Sequence, residues 1–96
     1  MLTHVVLFKF KAETTAAQAA LLEAGLKGLP AVIDDIREFR VGCDVVRSER
    51  SYDLALVSAF DDLAAMQRYQ GHPAHLEVVA LVKTLCAGVV AVDFNE

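Results

Sequence analysis

The stretch "YDLALVSAF", residues 52–60, decides how this chain folds. Taken in alternation, Tyr52, Leu54, Leu56 and Phe60 fall on one side, and Ala55, Val57 and Ala59 on the other. Successive side chains of a strand point to opposite faces, so a strand with one wet face alternates apolar and polar residues. Here both sides are apolar, and a strand of that kind needs cover on both.

Outward from it, the other elements follow from periodicity. On the N-terminal side, the charged link "RSERS" (47–51) joins it to "IREFRVGCDVV" (36–46), a strand with Phe39, Val41, Cys43 and Val45 on one face. Gly42 within that strand suggests a bulge or a close approach. The opening "LTHVVLFKFK" (2–11) is another strand: His4, Val6, Phe8 and Phe10 share one face, and Val5, Leu7, Lys9 and Lys11 the other. Between these two strands "TAAQAALLEAGLKGLP" (15–30) changes to helical spacing. Thr15 and Gln18 form a capping box, Ala19, Leu22, Leu26 and Leu29 make the stripe, and Gly28 and Pro30 end it. After residue 60, Asp61 is expected to cap a helix, "DLAAMQRYQ" (62–70), with Leu63, Met66 and Tyr69 or Gln70 in its stripe. "GHP" breaks that helix, and Pro73 suits the first turn of the next, "PAHLEVVALVKTLC" (73–86), which stops at Gly88. "VVAVDF" (89–94) closes the chain as a strand.

The order is strand, helix, strand, strand, helix, short helix, strand, within one domain spanning residues 1–96. This is the α+β, ferredoxin-like split βαβ pattern, in which the helices pack on one face of a four-stranded antiparallel sheet. The second sheet face has no cover within the chain. The strand at 52–60 is apolar there too, so a second copy is expected to lay its own sheet on it, giving a homodimer.

Composition points the same way. Ninety-six residues bury only about 60 to 65 per cent of the surface of the unfolded chain. Yet 55% of them are hydrophobic and the mean hydropathy is +0.40. The net charge is −4, and the nine Lys and Arg are scattered, so nucleic acid is excluded as a partner for want of clustered positive charge. No run approaches the roughly 18 apolar residues of a membrane span, and the N-terminal stretch lacks the features of a signal peptide. A soluble, cytoplasmic protein is expected. Cys43 and Cys86, in no metal-ligand or redox spacing, read as small buried hydrophobes.

The chemistry is concentrated in "YQGHPAH", residues 69–75. With Pro73 at the first helical position, His75 sits near the third and begins a stripe continued by Val78, Val79, Val82 and Cys86, so it points inward. A helix N-terminus and an apolar surround both oppose positive charge and favour a neutral imidazole able to accept a proton. Tyr69 can face the same space as a hydrogen-bond donor. His4 reaches it if its face of the first strand lies under the helices. The lining of such a pocket would comprise His4, Val6 and Phe8 of the first strand, Leu22 and Leu26 of the first helix, and His72. The bland reading of the same residues is a capping histidine, a core tyrosine with a wet hydroxyl, and a His72 that fixes the turn before the proline. His72 and His75 lack a third metal ligand, since Glu77 falls on another face of the helix, so no metal is expected.

The stretches "HVVLFKFK", "LP", "I..I..F.VG.DV" (33–45), "SYDLALVSAF" with its following acid, "YQGHPAH" and "VDF" together resemble the stress-responsive dimeric α/β-barrel family, known as Dabb. The resemblance spans nearly the whole chain and implies a ferredoxin-like protomer and a homodimer whose two sheets form a barrel. Most members have no assigned reaction and are known for induction by heat or salt in plants. The most direct implication is therefore a stress-response protein binding a small apolar ligand. The family also includes a polyketide cyclase that works by aldol chemistry with no cofactor. There, residues matching His75 and Tyr69 act as base and hydrogen-bond donor, and the position of His4 lines the cavity. The first-helix wall departs from that enzyme: Leu22, Glu23 and Leu26 include no aromatic residue, and the chain has no tryptophan.

Overall fold

The alternating N-terminal residues form β1 (Leu2–Phe10) in the computed structural model, which describes all 96 residues, Met1–Glu96. The helical stripe that follows forms α1 (Ala16–Lys27) and a single 3-10 turn at Leu29–Ala31. The Thr15/Gln18 capping box closes as the spacing predicts, with the Gln18 amide donating to the Thr15 hydroxyl at 3.2 Å and the Thr15 amide to the Gln18 side chain at 2.9 Å. Then come β2 (Glu38–Cys43), β3 (Leu54–Phe60), α2 (Leu63–Gly71), α3 (Pro73–Leu85) and β4 (Cys86–Asn95).

The sheet is antiparallel throughout, in the order β2-β3-β1-β4. The strand that is apolar on both sides, β3, is therefore internal. Val6 lies opposite Leu56 on one side and Ala91 on the other, so Leu2, His4, Val6 and Phe8 share the helix face with Leu54, Leu56, Ser58 and Phe60. The core fills this space with Leu22 and Leu26 of α1, Met66 and Tyr69 of α2, and Val78 and Leu85 of α3. Each fully buried leucine contributes roughly 1.5–3 kcal/mol.

The opposite sheet face has no covering layer. Val5, Leu7, Ala55, Val57, Val90, Val92 and Phe94 point there by the same register, with Val92 64% and Phe94 43% exposed. No helix is long and apolar enough to cross a membrane.

Several local expectations are corrected. The cap of α2 is Asp62, whose carboxylate accepts from the Ala65 amide at 2.8 Å, because the Asp61 carboxylate is already held on both oxygens by Arg37 at 3.0 Å. Leu63, the first residue of α2, stays exposed, and Ala65, Met66 and Tyr69 form its buried face. The last strand starts at Cys86 rather than Val89, since α3 passes directly into it after Leu85. Gly42 marks neither a bulge nor a close approach: it pairs regularly with Ala55, and nothing lies within 4 Å of the position a Cβ would take. The register shift falls between Lys9 and Phe10 instead. Both cysteines are free and neither is fully buried: Cys43 is exposed, because β2 is an edge strand, and Cys86 is half-buried.

Candidate functional site

Between α3 and the β1–β4 side of the sheet lies a cavity of about 400 Å³ with a predominantly apolar lining. Of the residues expected to border it, His4, Val6, Phe8, Leu26, Tyr69 and His75 do. Leu22 and His72 do not. Leu22 is wholly buried within the core, and the His72 ring turns back on its own helix, where Nδ1 accepts the Ala74 amide at 3.0 Å. The reading of His72 as the residue that fixes the turn describes this geometry, and Glu23 pairs with Lys27 at 3.0 Å.

Tyr69 sits between the two other polar rings, its centroid 4.4 Å from that of His75 and 6.4 Å from that of His4. Its other sides are closed by Phe60 at 4.9 Å and Phe39 at 6.2 Å. The Tyr69 hydroxyl is buried and has no hydrogen-bond partner. Burial pushes its pKa well above the ordinary phenol value, so it stays protonated and able to donate. An unsatisfied buried hydroxyl costs about 1–3 kcal/mol, which is unusual in a core with few other polar groups.

The tautomers of both histidines follow from their partners. The carbonyl of Gln70 can only accept, so the His75 nitrogen 3.0 Å away, Nδ1, carries the proton and donates it. Nε2 of the neutral ring then holds the free lone pair. His4 has the same arrangement: its Nδ1 donates to the carboxylate of Asp93 on β4. Burial lowers the pKa of His75, outweighing the Gln70 carbonyl, which raises it, while charge repulsion from His4 and His72 adds to the lowering.

This direction fixes a pH dependence. The unfolded imidazole titrates near 6.5, whereas the folded one takes a proton only at lower pH. Above that value neither state binds a proton. As pH falls through it, the unfolded chain gains one first, so stability declines until the folded pKa is reached. The melting temperature at fixed protein concentration is expected to drop as the pH falls through the unfolded value near 6.5, less steeply in His75→Gln. Identical slopes in the two proteins would remove His75 as the cause.

Four contributors escaped the sequence reading. Asp93 orients His4, Lys83 borders the cavity from the last turn of α3, and Val89 and Ala91 of β4 complete its wall. For Asp93 there was a signal: an acid in the otherwise apolar "VVAVDF", on the same alternating face as Val89 and Ala91.

Comparison with known proteins agrees with this fold. A family model described as the stress responsive A/B barrel domain, Dabb, matches residues 2–96. An uncharacterised protein of Streptomyces coelicolor is 34% identical over 94 residues, covering 95% of this chain and 96% of that one. The structure of a dimeric ferredoxin-like protein of unknown function from Thermobifida fusca superposes with a TM-score of 0.90 at 29% identity, over 99% of this chain and 90% of the other. A hydroxynitrile lyase from Passiflora edulis has the same fold, with a TM-score of 0.87 over 99% and 94% of the two chains, at 20% identity. With a family match over all but the first residue and a relative of this similarity along nearly its full length, the chain belongs to the stress-responsive A/B barrel, or Dabb, family.

Proposed function

We propose that the protein is a homodimer, joined through its bare sheet faces, in which each helix-side pocket binds a small apolar ligand bearing a carbonyl or hydroxyl oxygen. The observation that carries the reading is the buried Tyr69 hydroxyl without a partner, at the polar end of an otherwise apolar cavity. A ligand oxygen at that point would satisfy the hydroxyl, and a few convergent polar groups in a greasy pocket are how small-molecule sites are built. The dimeric Thermobifida fusca relative supports the pairing of two copies.

A second reading rests on the open Nε2 of a neutral His75 beside that hydroxyl. His75 would take a proton from carbon next to the ligand carbonyl, becoming imidazolium. The electron pair would move onto the carbonyl oxygen, where Tyr69 donates a hydrogen bond to the enolate. Attack of that enolate carbon on a second carbonyl of the same chain would close a ring, with the proton returning to the new alkoxide. This is a lyase or cyclase step that balances without a cofactor.

One set of variants separates the two readings. Tyr69→Phe is expected to raise stability by about 1–2 kcal/mol, since it deletes an unsatisfied buried hydroxyl, while weakening ligands found in a thermal-shift screen of carbonyl metabolites. A loss of stability would mean that the hydroxyl has a partner in the ligand-free protein and would remove the argument. If a bound β-keto thioester is recovered unaltered, the pocket only binds. If it is converted, His75→Ala should slow turnover about a hundredfold or more. Turnover that persists in His75→Ala would exclude it as the base.

A further inference from the structure

The polar groups around the cavity stand at opposite ends of α3. His75 is in its first turn, Lys83 in its last, and the residues bordering the cavity between them are Val78, Val79 and Val82. Eight residues at 1.5 Å each set the two about 12 Å apart along the helix. No carboxylate borders the cavity, and Lys83 takes part in none of the chain's six ion pairs. The exposed Lys83 thus borders the apolar slot without a charged partner, on a chain whose net charge is −4.

Building on the pocket reading, we propose the class of ligand: an apolar chain with a keto or hydroxyl oxygen at one end, held by Tyr69 beside the first turn of α3, and a carboxylate at the other, held by Lys83 in its last turn, the two turns lying about 12 Å apart along the helix. Lys83 is exposed, so solvent and salt screen its pull on an anion and the preference it gives is modest. A cation in the last turn also complements the dipole of α3, which would by itself account for a lysine there. The two roles differ in what they discriminate. A dipole role affects helix stability whatever the ligand, whereas a ligand-holding role separates an acid from its ester.

The test is calorimetric titration of the full chain with 9-oxodecanoate and with its methyl ester. The acid is expected to bind about fivefold more tightly than the ester at low salt, with the preference shrinking as salt is added. Lys83→Met should abolish the preference by weakening the acid more than the ester, and Lys83→Arg should retain it. If acid and ester bind the wild type equally, or Lys83→Met keeps the preference, the lysine role is overturned while the pocket stands. If neither compound binds, the pocket reading falls and takes this proposal with it.

Discussion

Val5→Asp is expected to turn the dimer into well-folded monomers at micromolar concentration. Val5 lies at the middle of the uncovered sheet face, opposite Val57 of β3 and Val92 of β4, so no cation stands directly across from it. In a two-fold interface the change occurs twice. An uncompensated charge buried at the interface costs about 3 kcal/mol or more in each copy. Together this weakens association on the order of ten-thousandfold. In a monomer the same side chain faces water, so the fold should survive with a loss no larger than the roughly 1 kcal/mol range of strand preferences. Sedimentation velocity reads the first effect and far-UV circular dichroism the second. A variant that still sediments as a dimer would place the interface elsewhere, and a wild-type monomer at this concentration would remove the proposed dimer.

Phe60→Ala should cost about 3–5 kcal/mol, a large part of the 5–15 kcal/mol that holds a domain of this kind together. Phe60 ends β3 with no exposed surface, and its ring lies 4.9 Å from that of Tyr69 and 6.5 Å from that of His4. The loss therefore has two parts: the transfer energy of the ring, and a void beside the polar end of the cavity. Urea unfolding at fixed protein concentration measures it, since association would otherwise shift the midpoint. Phe60→Leu keeps most of the volume and should cost less than about 1.5 kcal/mol. Similar midpoints for the alanine variant and the wild type would show that neighbouring side chains collapse into the space.

The fold was legible because its periodicities are strong. β3 is apolar on both faces, so cover was expected on both, and the helices supply it on one. The alternation in β1 put His4 on one face with Val6 and Phe8, which the structure shows to be the helix face, and the helical stripe of α3 placed His75 at the start of the cavity. Local chemistry was less legible where two adjacent residues could do the same work. Asp61 and Asp62 are equally good caps, and only the position of Arg37, brought in from the end of β2's approach, decides between them. The boundary at Cys86 was hidden because a helix can pass straight into a strand with no turn residue, and Gly88 looked like a stop. Lys83 reaches the site only through the packing of α3 on the sheet, and the alternation that marks Asp93 does not show that its partner is His4.

The contact between His4 and Asp93 joins residues 89 positions apart, and β1 has only β3 and β4 as neighbours, beginning at Leu54 and Cys86. During translation β1 therefore emerges long before either neighbour exists, with both of its hydrogen-bonding edges open. Pairings of such long sequence separation are slow to form, and an apolar strand waiting for them is exposed to misassembly. On a nascent chain, β1 stays open to a holdase until its neighbours arrive, and the His4 ring acquires its carboxylate only after β4 has been synthesised.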